Sequence, residues 1–426
     1  MKMKNILSSL ICNARALLAC LVVCVLFAGC VDDSYHGAAA RYRDDTIPLH
    51  VNVFVGEPVT AETKGHGTID FKDGMTFNGR NIYVYAFNRL AGTDFSATSA
   101  ISPADCLVDG SIDEPGNLGG KQAALIDLTS YAEWTGAHRP LYPTGEMKSV
   151  PYEFFAYHID TIKLARENIH RTSDNINIDL TFDGSIDIMT AHSVYDEQPE
   201  EEQPSEEPDE EQSAEPEAPD GDGTKADGEA LRGYSYDTAR RGIDPVFTFE
   251  HKLVKLVFEA EAGVIESRME KTLTVQDVKV ESLSKANLTV AYKPGWTGDG
   301  ISFDENSTDT MQLREKDGTE IPRDHYVIQN PPPTDDTPPV RVGGSLLVAP
   351  QQSYKANVTV REVSAAGEYE DVNPIDIEFP EGFNIGCSYL VKLKLFGYMA
   401  VETTVELVPW QYGGEINVPD YEYPGY

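Results

Sequence analysis

The feature that most limits how this chain can fold is a recurring alternation of apolar and polar residues with a period of two. The clearest case is 389–396, where Tyr389, Val391, Leu393 and Leu395 would face one way and Lys392 and Lys394 the other. Successive side chains point to opposite faces in extended chain, so such a stretch reads as a strand with one buried face. The same reading gives strands in the first half at 47–55, 82–87, 123–128, 152–157, 176–182 and 185–189. In the second half it gives 246–260, 272–280, 288–292, 346–349, 354–363, 375–379, 389–396 and 401–408. Gly, Asp, Asn and Pro punctuate these runs, and residues 161–169 are the single tolerable helix candidate. The fold class expected is all-β, and 426 residues are enough for two domains.

The N-terminus reads as a processing segment. Lys2, Lys4 and Arg15 accompany 13 uninterrupted apolar residues at 16–28. That run fits a signal-peptide core but falls short of the roughly 20 residues needed to span a bilayer. Ala28-Gly29-Cys30 closes it in a form that resembles the bacterial lipobox, with Phe27 where leucine is usual. The resemblance implies cleavage before Cys30 and lipidation of Cys30 with palmitate-like acyl chains, and two or more chains anchor stably where one does not. Val31-Asp32-Asp33 is similar to the acidic tag that sends Bacteroidetes lipoproteins to the outer face of the outer membrane. The location expected is therefore the cell outer membrane, exposed at the surface.

Between the two series of strands the composition changes. From Asp196 to Ala230 there are 16 Asp or Glu and one Lys, and apart from proline no apolar residue larger than alanine. Such a stretch cannot bury enough surface to offset the entropy of ordering, so it reads as a disordered, self-repelling insertion. Asp220-Gly221-Asp222-Gly223-Thr224-Lys225 fails as an EF-hand loop, because Lys225 stands at the glycine position and Leu231 at that of the bidentate glutamate. The organisation expected is a leader at 1–29, a lipidated tether at 30–45, a first β domain at 46–195, the acidic insertion at 196–244 and a second β domain at 245–426. A proline-rich segment, 330–339, should form a stiff excursion within the second domain.

Composition also limits partners and chemistry. With 70 acidic against 34 basic residues the formal net charge is −36, which disfavours nucleic acid and anionic lipid headgroups. Of six cysteines, Cys12, Cys20 and Cys24 lie in the leader and Cys30 takes lipid, which leaves Cys106 and Cys387. These are too few for a thiolate metal site, and whether they pair is open. The nine histidines include no His-x-x-x-His or His-x-His, Gly343-Gly344-Ser345-Leu346-Leu347 lacks the closing glycine of a nucleophile elbow, and there is no phosphate-binding Gly-x-x-x-x-Gly-Lys loop. No catalytic residue, cofactor or metal site is nominated. Trp134 and Trp296 sit in turn-like settings where an indole could stack on a sugar ring or simply close the end of a core, and Trp410 reads as a core plug.

Four stretches together resemble the fimbrillin family of Bacteroidetes, whose members are two-domain lipoprotein subunits of fimbriae. They are Asp187-Ile188-Met189-Thr190-Ala191, the Phe-x-Phe-x-His-x-Leu-x-Lys run from Phe247 to Lys255, Leu346 to Gln352 with its Pro350-Gln351 step, and Gly386-Cys387-Ser388-Tyr389 through Val408-Pro409-Trp410. Their order and spacing match over about 45–420. The resemblance implies two tandem transthyretin-like β-sandwiches and assembly by donor-strand exchange, in which one subunit's extended segment fills a sheet edge of its neighbour. It also implies an Arg-specific cut, for which Arg41 and Arg43 are placed. Glu415, Ile416, Asn417 and Val418 could be a short donor strand or a satisfied edge. The function expected is a non-enzymatic surface lipoprotein serving as fimbrial subunit, anchor or tip in cell adhesion, its partners being other subunits, the outer membrane and surface receptors or glycans. The alternative is a glycan-binding lipoprotein that captures polysaccharide for uptake.

Overall fold

The structure, a computed structural model, describes residues 47–53, 81–89, 94–96, 102, 104–125, 131–160, 164–195, 233–263, 271–298, 300–330, 337–408 and 410. Cys30, Arg41, Arg43, the tract 196–230 and the tail residues Glu415, Ile416, Asn417 and Val418 lie outside them. The described chain is all-β, as the alternation predicts, and its two α-helices, Gly110–Asp113 and Tyr236–Arg240, are single short turns.

The first half is built around a nine-stranded sheet. Its order runs Val246–Phe247, Val51–Val53, Tyr131–Trp134, Lys121–Leu125, Asn81–Asn88, Tyr152–Ile159, Ile188–Ser193, Glu250–His251, and Cys106–Val108 also pairs with Asn81–Asn88. The strand Tyr152–Ile159 reads Tyr-Glu-Phe-Phe-Ala-Tyr-His-Ile and is buried at every position, so it has a core on each face instead of one wet side. Phe154 and Ala156 join Val84, Met189, Phe247 and Phe249 on one side. Phe155 and Tyr157 join a core on the other side that continues without interruption to Leu256, Val278 and Val391 of the second half.

The second half keeps the simpler alternation. Val340–Val348, Val254–Ala262, Ser388–Leu395 and Val401–Val408 form one sheet, with Val254–Ala262 and Ser388–Leu395 parallel. Thr308–Gln312, Lys271–Leu283, Ser353–Ser364 and Gly367–Glu378 form another, with Tyr326–Asn330 also on Lys271–Leu283. In Ser388–Leu395 the apolar set expected on one face, Tyr389, Val391, Leu393 and Leu395, is buried, while Lys392 and Lys394 are half-buried.

The halves interlock through strands that change sheets. The chain of Lys271–Leu283 turns at Ser284, whose amide and hydroxyl both donate to Ser307 O, at 2.9 and 2.7 Å. It then resumes as Lys285–Tyr292, antiparallel to Asn175–Thr181 of the first half, with Ile178 opposite Leu288. Sheet switching at a corner of this kind turns one long strand into a bracket across two sheets. Val246–Phe247 and Glu250–His251 likewise add to the first-half sheet, beside Val51–Val53 and Ile188–Ser193. The run expected as a single strand at 246–260 is therefore three segments, and only Val254–Ala262 enters the second-half sheet.

Other expectations are corrected. In the described part of the helix candidate at 161–169, residues 164–169, there is one 3-10 turn, Arg166–Asn168, followed by the strand Ile169–Arg171. Ile169 pairs with Ile178 and is buried, which fixes extended chain where no helical apolar stripe competes. Cys106 is not in a loop: it opens the strand Cys106–Val108. Short strands at Ile301–Phe303, Thr308–Gln312 and Tyr326–Asn330 went unread, because three to five residues are too few, and in Thr308–Gln312 too polar, to show a period of two.

Candidate functional site

The motif stretches meet at the junction of the sheets. Met189 pairs with His251 and Thr190 with Glu250, and Lys252 N donates to Ile188 O at 2.8 Å. Asp187 Oδ2 lies 2.8 Å from His251 Nδ1. The approach is off the hydrogen-bond axis, so it acts as a close electrostatic contact between two buried side chains. The His251 ring stacks on Trp410 with centroids 3.9 Å apart, and Lys255 Nζ stands 5.2 Å over the same indole. A buried cation over an indole is worth about 2 kcal/mol or more. Lys255 N in turn donates to Cys387 O, and Gly386 N to Leu253 O. Three of the four sequence stretches that resemble one family thus form one buried seam, with Trp410 as the plug expected.

Beside this seam opens a cleft of about 700 Å³, within the usual size of small-ligand sites. One wall is a chain of four rings. Phe155 stacks on His192 at 4.7 Å, Phe155 meets Tyr292 edge-on at 5.0 Å, and Tyr292 stacks on Trp296 at 4.5 Å. The rings come from four places: the strands Tyr152–Ile159 and Ile188–Ser193, the end of Lys285–Tyr292, and the turn that follows it. Gly298 holds that turn against the indole, since a Cβ there would lie 2.3 Å from Trp296 Cζ2. Gly300, at φ +79°, adopts a backbone conformation open to glycine and brings the loop to Lys252 and Thr190.

The charged side chains and histidines of the lining are paired with one another or with neighbours. His192 Nε2 is 2.6 Å from Glu153 Oε1 and Lys252 Nζ donates to Glu250 Oε2 at 3.0 Å. His251, Thr190, Thr248 and Thr289 also line the cleft. The Tyr292 phenol is pushed above its ordinary value first by burial, then by the negative charges of Glu153 and Glu250.

The two tryptophans paired by sequence part company. Trp134 is in the strand Tyr131–Trp134, not a turn; it is 6% exposed and its indole N–H donates to Leu49 O at 2.8 Å. An indole so enclosed has no face for a sugar, and the reading of Trp134 as a stacking residue is withdrawn in favour of a core role. Trp296 is half-buried and lines the cleft. Cys106 and Cys387 are not joined in a disulfide, and burial, with Asp109 nearby, pushes the Cys106 thiol well up. The partners of Trp296 went unread in the sequence: Tyr292, four residues earlier, reads as an ordinary strand end, and nothing local links either to His192. Among the described residues no group of three or more His, Cys, Asp or Glu is arranged to hold a metal ion, and no helix is long and apolar enough to cross a membrane.

No protein-family model matches the chain, and no curated protein matches it. Solved structures do. A fimbrial protein from Bacteroides vulgatus is 12% identical, covering 86% of this chain and 99% of its own, with a TM-score of 0.44. A proposed cell adhesion protein from Bacteroides uniformis is 15% identical, covering 87% and 100%, with a TM-score of 0.43. Another from Bacteroides ovatus is 12% identical, covering 86% and 98%, with a TM-score of 0.37.

Proposed function

We propose that this chain is a non-enzymatic surface lipoprotein of fimbrillin type, held in the outer membrane through acylated Cys30 and serving as subunit, anchor or tip of a fimbria in cell adhesion. The observation that carries the proposal is the seam of Asp187, His251, Lys255 and Trp410. Residues that resemble one family in sequence, spread over more than two hundred positions, are there each other's packing partners, which a chance motif match does not require.

Assembly would proceed by strand addition. Val401–Val408 ends its sheet, paired on one side with Ser388–Leu395, and it carries Glu402 and Glu406 outward. Charges on an edge strand discourage indiscriminate pairing and leave it to a matched donor. The segment 415–418 is the donor proposed, and a cut at Arg41 or Arg43 the step that would expose an acceptor. Trp296 at a cleft favours saccharide binding, which an adhesive subunit accommodates as readily as a glycan-capturing lipoprotein does.

The deciding experiment has two arms. Cys30→Ala should abolish acyl labelling and membrane association; retained labelling would sink the lipoprotein assignment. Cells with and without the gene product should differ in filaments by electron microscopy, with an SDS-resistant ladder lost in Arg41→Ala/Arg43→Ala. A chain that stays monomeric after trypsin and leaves filaments unchanged argues against a subunit role.

A further inference from the structure

We propose that the cleft walled by Phe155, His192, Tyr292 and Trp296 binds a neutral saccharide. The inference stands apart from anchoring and assembly, since none of these residues belongs to the tether, the edge strand or the tail.

The chemistry of the lining selects the ligand. Aromatic rings offer flat apolar surface that matches the C–H faces of a pyranose, and the threonine hydroxyls and carboxylates around them offer hydrogen-bond partners for its hydroxyls. The cleft's three cationic or protonatable side chains each lie against a carboxylate: Lys252 against Glu250, His192 against Glu153 and His251 against Asp187. An anionic ligand would therefore find no unmatched cation here. It would also face the field of Glu153, Glu250 and a chain whose formal net charge is −36. A hydroxyl-rich neutral ligand needs no counter-charge and can donate to the carboxylates, of which the Glu250 side chain is 51% exposed. A peptide fits less well, because the sheet edge beside the cleft, Glu250–His251, offers two residues for backbone pairing. The wall is also set before binding: the indole stacks on Tyr292 and Gly298 lies close against it, so little ordering cost falls on the ligand.

The chain has three tryptophans, and two of them, Trp134 and Trp410, are buried, which allows a test on the unaltered protein. The full chain would be titrated with neutral oligosaccharides (mannohexaose, xylohexaose, maltohexaose, galactohexaose), with acidic ones (sialyllactose, trigalacturonate) and with a synthetic peptide of residues 411–426, and the three indole N–H signals followed by NMR. The expected result is that at least one neutral probe shifts the Trp296 signal alone, at micromolar to millimolar concentration. Trp296→Ala should weaken that binding about tenfold or more while the thermal midpoint stays near that of the parent. Thr289→Val, which keeps the rings, should weaken it less. Any SDS-resistant ladder should persist in Trp296→Ala, which separates failure here from failure of the fimbrial reading. The inference is overturned if no neutral probe binds at millimolar concentration, if an acidic glycan or the tail peptide occupies the cleft in preference, or if Trp296→Ala binds as tightly as the parent.

Discussion

The two halves of the molecule fill their cores by different means. In the second half, strands such as Ser353–Ser364 and Ser388–Leu395 bury Val358, Val360, Val391 and Leu393 on one face, and burial of apolar area is the main stabilising term. In the first half the central strand Tyr152–Ile159 is buried on both faces and the filling is aromatic, so polar atoms go inside with the rings. Tyr85 OH donates to Leu118 O at 2.6 Å and Tyr157 OH to Gly119 O at 2.5 Å. Arg171 reaches Asp109 with both terminal nitrogens, at 2.7 and 3.0 Å, donates to Leu118 O at 2.9 Å and lies over the Tyr85 ring. The hydrogen-bond acceptors among these partners, Asp109, Leu118 and Gly119, sit within 109–119, so the first half depends on a loop whose atoms must be in place. The second half should tolerate shape changes that keep volume, and the first should not.

The largest effect expected is at Asp109. It is fully buried and the Arg171 side chain is 2% exposed. Asp109→Ala leaves a guanidinium without its counter-charge in a dry site and should cost about 3–5 kcal/mol, read by denaturant unfolding. The double replacement Asp109→Leu/Arg171→Met removes both charges and should cost much less. Equal losses for the single and double variants would break the claim that directed polar contacts set the first half apart.

Next comes Leu393, buried in the second-half sheet. Leu393→Ala should cost about 2–5 kcal/mol, while Leu393→Met, which keeps the volume, should cost less than about 1.5 kcal/mol. If the methionine variant is as damaging as alanine, the second half is as shape-specific as the first.

A smaller loss is expected from Tyr157→Phe, which preserves the ring but strips Gly119 O of its donor, at about 1–3 kcal/mol. The same phenols make the first half sensitive to alkali. Burial raises Tyr83, Tyr85, Tyr142, Tyr152, Tyr157 and Tyr234 above the ordinary value. The second half adds Tyr354 and Tyr389, with Tyr326 pushed up to about 12 by burial and its hydrogen bond to Glu315. A phenol raised in the folded state binds its proton more tightly there than in the unfolded chain. Its contribution is complete below about pH 10 and declines as pH rises beyond that, through the folded value. Tyrosinate absorbance and unfolding should therefore rise together above about pH 10; phenols that ionise at the ordinary value in an intact fold would contradict the burial of the first half.

This contrast explains what the sequence disclosed. Val401–Val408 falls where the alternation puts it, to the residue, because one face is wet and the period of two is visible. Tyr152–Ile159 was legible as a strand but not as a central one, since a run buried on both faces has no period. The sheet switch at Ser284 carries no local signal at all: it depends on Ser307, twenty-three positions away. Trp296 could be flagged by its turn, whereas the cleft beside it is assembled from His192, Glu250 and Tyr292, which meet only because strands cross between halves. The seam was partly legible, as motif order, but the contacts that make it a seam were not.

The smallest effect expected is from the acidic tract, and the residues that flank it say why. On the near side Ser193 Oγ lies 2.8 Å from Tyr234 OH on the far side, and the rings of Tyr195 and Tyr234 are 6.0 Å apart. Tyr234 also exchanges both backbone hydrogen bonds with Tyr152, at 2.7 and 2.9 Å. The chain thus leaves and re-enters the fold at one pinned point, and the intervening length enters stability through loop closure alone if the tract is the unstructured insertion its composition predicts. Closure free energy changes by about 0.6 kcal/mol for each doubling of length. Replacing residues 197–229 with a short Gly-Ser linker, a roughly fourfold shortening, should therefore stabilise the fold by about 1 kcal/mol. Removing so many like charges should add slightly to that at low salt and nothing at high salt. A thermal midpoint that falls sharply on deletion would mean the tract packs against the body, and the two halves would then share more than the seam and the crossing strands.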